Sequence, residues 1–202
     1  MLMLEERKMK YIDLTLKVGK NNKAYKWAQT QLQQHLVMGH VGTHFDVYDK
    51  RNIPIEYMQR RGVLLDASHV KDREITTDDL DLDYIKQGDF VMIRTGSIER
   101  HPYGSGLYFS QSVHLSWELI EALIEEQVAF IGIDAPDIRK PPEHIEADKL
   151  CERKGIYVIE NLNNLNQIDT NRPCKMLTMW HEDSEATGIR VRVVATQPTE
   201  GE

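Results

Sequence analysis

"LSWELIEALIEEQVAFIGIDAP", residues 115–136, sets a helix directly before a strand. Leu115, Leu119, Ala122 and Leu123 recur at helical spacing, and Ser116 stands where its hydroxyl can cap the first turn. "AFIGIDAP" (129–136) is a short apolar run closed by Pro136, too apolar for an edge strand. A similar run, "DFVMIRTG" (89–96), precedes the helix. Strand, helix and strand in that order place the chain in the mixed α/β class.

Working outward, "YIDLTLKV" (11–18) alternates, and "GVLLDASH" (62–69), "IYVIENL" (156–162) and "TGIRVRVVA" (187–195) read as further strands. "PPEHIEADKLCERKG" (141–155) predicts a second helix, because proline suits a first turn and Lys154-Gly155 suits a C-terminal stop. No repeat or composition shift divides the 202 residues, so a single domain over 1–196 is expected, with a disordered tail, "QPTEGE", over 197–202.

With 41% hydrophobic and 28% charged residues, the chain can bury a core. A formal net charge of -7 argues against nucleic acid as a partner, since phosphate-backbone binding needs clustered Lys and Arg. No apolar run approaches the roughly 18 residues that span a bilayer, and "MLMLEERKMK" does not read as an export signal, so no membrane partner is expected. Cys151 and Cys174 are too few for a disulfide framework, and a cytoplasmic location is the expectation.

"GHVGTHFDVYDK", residues 39–50, carries the chemistry. If it were extended, His40, Gly42, His44 and Asp46 would project to one face, because strand side chains alternate with period two. Imidazoles and a carboxylate are ordinary ligands of Zn²⁺ and related ions, and a catalytic site uses three protein ligands while keeping a position open. Gly42 would let a substrate or ion approach closely. The blander reading, two hydrogen-bonded histidines in a loop or strand, stays open on spacing alone.

H40-V-G-T-H-F-D46 reproduces the first seven positions of H-x-G-T-H-x-D-x-P-x-H, the motif of the cyclase family of metal-dependent hydrolases, which includes bacterial kynurenine formamidases and isatin hydrolases. The chain resembles that family in other places and in order. "YIDLTLKV" is similar to its opening strand, "VMIRTG" to its R-T-G strand, "AFIGIDAPDI" to its G-I-D-x-P, "GIYVIENLNNL" to its I-E-x-L strand and "GIRVRVVA" to its closing strand. The resemblance implies a compact α/β domain of the swivelling β/β/α type, a mixed sheet with flanking helices, assembled as a homodimer or homotetramer. It also implies His40, His44 and Asp46 as metal ligands and Glu160 as a ligand that joins a second ion in two-metal members.

The departures from the pattern are informative. The family's histidine twelve positions before that glutamate is Asp148 here, the motif's proline is Tyr48, and its final histidine is Lys50. An early P-G-D segment is replaced by "KVGKNNKAYKW" (17–27). Asp148 keeps an oxygen ligand in reach and favours harder ions such as Mn²⁺ over zinc, while His144, four residues earlier on the same helix face, could supply the imidazole. An ammonium of ordinary pKa about 10.4 cannot accept a proton at neutral pH. Lys50 must therefore act as a base of depressed pKa, act as a charge on an oxyanion or acidic substrate, or point to solvent; Tyr48 beside it is the other candidate for proton transfer.

Other candidates carry less. His69 and His101 fall in expected loops without spaced partners, and no nucleophile elbow supports a serine hydrolase. Trp27, Trp117 and Trp180 read as core or pocket-wall aromatics, and Cys151 as structural. The expected function is a metal-dependent hydrolase of a C–N bond in a small amide or cyclic amide, using one or two divalent ions, Zn²⁺ or Mn²⁺, on a small-molecule substrate. A homologue that binds metal or ligand without turnover is the alternative.

Overall fold

The computed structural model describes residues 8–199. The strands are β1 (Met9–Asp13), β2 (His44–Asp46), β3 (Gln59–Asp66), β4 (Phe90–Arg94), β5 (Phe130–Ile133), β6 (Tyr157–Glu160), β7 (Cys174–Trp180) and β8 (Gly188–Pro198). The helices are α1 (Lys23–Gln29), α2 (Gln34–Gly39), α3 (Ser97–Arg100), α4 (Gly106–Ser110), α5 (Trp117–Glu125) and α6 (His144–Arg153). No helix among the described residues is long and apolar enough to cross a membrane.

β3, β4, β5 and β6 are parallel neighbours, and the remaining pairings are antiparallel. Strand order runs β8-β2-β6-β5-β4-β3-β7, and β7 pairs back onto β8, which closes seven strands into a barrel. β8 is long enough to pair with β2 at its start and with β1 at its end. The fold is thus the α/β domain with mixed sheet and flanking helices that the sequence predicts, with the sheet closed on itself.

Alternation along the strands makes two apolar layers. Phe45, Leu64, Phe90, Met92, Phe130, Tyr157, Ile159, Met176 and Val193 fill the barrel, and Phe45 stacks on Phe130 with ring centroids 5.5 Å apart. Val63, Leu65, Val91, Ile93, Ile131, Ile133 and Val158 face outward beneath Leu119, Ile120 and Leu123 of α5 and Ala147 and Cys151 of α6. Each fully buried Leu or Ile of α5 contributes about 1.5–3 kcal/mol by leaving water. Ser116 caps α5 as its position predicts, its hydroxyl accepting from the Leu119 N–H at 3.1 Å.

Several expectations need correction. Residues 197 and 198 are strand rather than disordered tail: Gln197 is buried, pairs with Lys10, and its amide donates to the Asp169 and Arg172 carbonyls. The rest of that tail from Glu200, and the first seven residues, lie outside the described ones. Strand β7 had no counterpart in the sequence reading, and the stretch 34–46 is a short helix, a turn and a three-residue strand instead of one extended run.

Candidate metal centre

β2 places Phe45 inside the barrel and turns His44 and Asp46 outward, both almost fully buried beneath neighbouring elements. In the sheet register His44 lies opposite Glu160 at the end of β6. α6 crosses the same outer face and adds Asp148. His40 arrives differently from the expectation. It ends α2 in a helical-side conformation, and the chain then reverses at Gly42, whose φ of +84° favours glycine. A side chain on Gly42 would also press on Val18, so this glycine makes the turn instead of clearing a strand face.

The Thr43 hydroxyl locks that turn, donating to the Asn161 carbonyl and accepting from the Leu16 N–H, each at 2.8 Å. Nδ1 of His44 lies 2.9 Å from the Gly42 carbonyl, which can only accept, so in the neutral ring the hydrogen sits on Nδ1 and Nε2 keeps its lone pair. Asn161 supports the same carbonyl through its amide and receives the Tyr108 hydroxyl on Oδ1. Nε2 of His40 meets Thr187 Oγ1 at 2.9 Å, and in the matching tautomer Nδ1 is left free.

Three lone pairs therefore converge. His40 Nδ1 is 2.9 Å and His44 Nε2 3.3 Å from Asp46 Oδ1, and the two nitrogens are 3.2 Å apart. Asp46 Oδ1 is buried without a hydrogen-bond partner. Such a trio repels itself unless an imidazole is protonated or a cation sits among its members. Burial alone would lower the His44 pKa, but the Asp46 charge overrides it and raises the imidazole. Burial would likewise raise the Asp46 carboxyl, which His44 and His40 hold far below the usual carboxylate range. The donors fit a divalent cation by chemistry and span: the three lie within 4.8 Å of one another.

Asp46 belongs to a second such group with Asp148 and Glu160, whose ligand atoms also lie within 4.8 Å of one another. Both oxygens of Asp148 and Oε1 of Glu160 are buried without partners. Burial, then the Asp46 charge, pushes both carboxyls well above their ordinary range. Asp137 was not singled out from the sequence. It follows the G-I-D-x-P signature and feels the same field: burial first and Asp46 second push it up to about 7. Asp134 of that signature is structural, its carboxylate accepting from the Thr95 and Gly96 N–H groups at 2.7 and 2.8 Å.

The structure thus gathers His40, His44, Asp46, Asp148 and Glu160. Tyr48 stands beside them, half-buried, within the field of Asp46, Asp148, Glu160 and Asp137. Lys50 is not gathered. It is exposed, its ammonium donates to the Ala186 carbonyl, and it lines a separate hollow with Trp180, Glu182 and Asp183. His144 opens α6 with a buried, unpartnered Nδ1 and lies near Asp46 and His40, but outside both ligand groups. Exposed His69 stays far from this cluster in its contacts, facing Asp79. Residues that the sequence reading missed, Thr187, Asn161, Tyr108 and Glu152, act through hydrogen bonds that no local pattern announces; only Asn161 carried a signal, as the neighbour of Glu160.

One side of His40 opens into an apolar cleft lined by Lys23, Ala24, Trp27, Val37, Tyr103 and Phe109. The segment that replaces the family's P-G-D supplies three of these. Trp27 is a pocket-wall aromatic, as expected, while Trp117 and Trp180 pack against the outer and inner apolar layers. Cys151 and Cys174 are both buried and unpaired.

A closed α/β barrel with an N₂O donor set on its outer face, buried except for His40, defines a protein with a potential metal centre. The family model described as "Putative cyclase" matches residues 12–140, and the chain belongs to that family. Among solved structures it is similar to a "potential metal-dependent hydrolase with cyclase activity" (22% identity, TM-score 0.72, 96% of this chain and 100% of that one). It is also similar to a predicted metal-dependent hydrolase from Bacillus stearothermophilus (20%, TM-score 0.69, 94% and 98%). A third is an isatin hydrolase bound to the product analogue thioisatinate (16%, TM-score 0.75, 95% and 93%). At these identities the likeness is one of fold. No curated protein matches the sequence.

Proposed function

We propose that this chain is a metal-dependent hydrolase that opens a C–N bond of a small amide or cyclic amide. The observation that carries the reading is the convergence of His40 Nδ1, His44 Nε2 and Asp46 Oδ1 within 3.3 Å, with Asp46 Oδ1 left unpartnered. A divalent ion held there would polarise a carbonyl and lower the pKa of water from about 15.7 toward about 7. The N₂O set suits Zn²⁺, and the carboxylates of Asp46, Asp148 and Glu160 suit a harder ion such as Mn²⁺ as a second occupant.

The chain's own groups divide the remaining work. Where a second ion is bound, Asp148 and Glu160 would hold it; where one ion is bound, their free oxygens would pass a proton from attacking water to the leaving nitrogen. The apolar wall of Trp27, Val37, Tyr103 and Phe109 would bind a flat hydrophobic group beside His40. Lys23 at its edge can meet an acidic substituent. The similarity to an isatin hydrolase supports a cyclic amide as the first compound to try.

Metal analysis of protein purified without chelator, repeated on His44→Ala, tests the centre. Stoichiometric metal that is lost in the variant is the expected result, and no metal in either protein overturns the reading. An amide and lactone panel with Zn²⁺ or Mn²⁺ added tests turnover. The placement of Lys50 away from the cluster favours a second reading, a metal- or ligand-binding homologue without turnover. Bound metal with no hydrolysis across the panel would select it.

A further inference from the structure

Glu152 lies one helical turn after Asp148 on α6 and is 1% exposed. Its Oε2 accepts from the backbone N–H groups of Tyr48 and Asp49 at 2.7 and 2.8 Å, and its Oε1 from Arg51 at 3.0 Å. Among the described residues no ion pair involves it, so three peptide dipoles compensate a buried carboxylate. Such charge-assisted bonds are about twice as strong as neutral ones. They bind the loop that leaves Asp46. Arg153 adds an ion pair to Asp49 at 3.0 Å, and the Lys149 ammonium stands 5.9 Å from the Tyr48 ring centre.

This anchor depends on a departure from the family motif. The motif has proline where this chain has Tyr48, and proline has no N–H to offer. Tyrosine supplies both the donor that Glu152 uses and a phenol. Lys50, in the motif's histidine position, takes a φ of +56°, a conformation that a non-glycine residue keeps only when its surroundings hold it. With the loop pinned in that shape, Lys50 is carried toward Ala186, while Val47 packs inside the barrel with Phe45 and Tyr48 follows His44 and Asp46 on the outer face, its ring beside Lys149, the neighbour of Asp148 on α6.

We propose that Glu152 is a positioning residue that holds the 48–51 loop so that the Tyr48 hydroxyl faces the metal-ligand cluster. There it donates a hydrogen bond to the oxygen of a bound carbonyl or carboxylate. Tyr48 thereby stands in for the motif histidine that this chain lacks. The proposal rests on the hydrolase reading only where turnover is measured.

Two measurements test it without turnover. In metal-free protein, amide hydrogen exchange over residues 48–51 should quicken about tenfold or more in Glu152→Gln and stay unchanged in Tyr48→Phe; unchanged exchange in Glu152→Gln overturns the anchor. In Co²⁺-loaded protein, acetate binding followed by the visible absorption band should weaken about tenfold in Tyr48→Phe, about as much in Glu152→Gln, and no more than about twofold further in the double variant. Multiplying effects would mean that Glu152 acts on general structure, and the proposal falls. Glu152→Asp, which keeps the charge but cannot reach all three N–H groups, should give an intermediate loss if Glu152→Gln does not fold; no loss overturns the proposal. With isatin and 4-nitroformanilide as substrates, the same non-additive pattern should appear in kcat, with KM within about twofold of wild type. An intact acetate pattern with no turnover by the wild type would sink the hydrolase reading and leave Glu152 in place.

Discussion

At Gly188 the smallest possible change should reach the candidate metal centre. A Cβ there would lie 2.6 Å from Cγ of the His40 ring, and the ring would have to move. Gly188→Ala is therefore expected to weaken metal affinity about tenfold or more while leaving the bound stoichiometry unchanged at saturating metal, a result that a competition titration against a chromophoric chelator can read. Thr187→Val removes the partner of His40 Nε2 and should cost a comparable factor, since groups that orient a ligand are worth about 10–100-fold in affinity. His40, His44 and Asp46 were legible from residue type and spacing, yet the imagined geometry was wrong for His40. Period-two alternation assumed one strand, while a helix end and a left-handed glycine bring that ring round. Lys50 was legible only as a departure; where its side chain goes was decided by Ala186, far along the chain.

Among elements, β2 is the clearest case of structure imposed from outside. Three residues cannot hold themselves as a strand, and they are held by β6 on one side, β8 on the other and Phe45 sunk among Phe130, Tyr157 and Trp180. Phe45→Ala should cost about 3–5 kcal/mol in chemical denaturation, and metal affinity should fall with it because His44 and Asp46 flank the lost anchor. Ser116→Ala, by contrast, removes one cap from α5, which contributes no residue to the cluster, and should cost about 1 kcal/mol with metal binding untouched. Helix α5 could be read because its apolar face repeats at helical spacing, and α6 because prolines precede it and Lys154-Gly155 ends it. β7 escaped because its inward residues, Cys174, Met176 and Thr178, include a small polar one, and the intervening Lys175, Leu177 and Met179 do not alternate cleanly in hydropathy.

For the whole molecule, the consequence of the cluster is a pH-dependent stability that should reverse with metal. Asp137 is pushed up to about 7, and Asp148 and Glu160 are raised in the same direction, chiefly by burial. A carboxyl whose folded pKa lies above its unfolded value of about 4 stabilises the fold fully below that value and loses the contribution as pH rises through the folded pKa. Asp46 has the opposite sign, and its contribution disappears only in strong acid. Chelator-treated protein should therefore melt several degrees lower at pH 8 than at pH 5. Protein loaded with a divalent ion, which favours the charged carboxylates, should show no such fall. Calorimetry at the two pH values with and without metal checks both halves, and equal melting temperatures for the metal-free protein would contradict the buried carboxylate cluster.

What the sequence determined by itself is what periodicity and residue chemistry carry locally: the mixed α/β class, the two longest helices with the Ser116 cap of one and the Gly155 stop of the other, most of the buried strands, and the residue types of a candidate metal centre. What only the tertiary structure decided is which atoms meet. Closure of the sheet through the β7–β8 pairing, the turn that returns His40 to Asp46, the buried carboxylates of Asp148 and Glu160, and the grip of Glu152 on the loop after β2 all join residues distant in the chain. Local pattern records which face of an element is apolar. The distances between lone pairs on different elements are set by how those elements pack, and only packing could place five donors around one buried space.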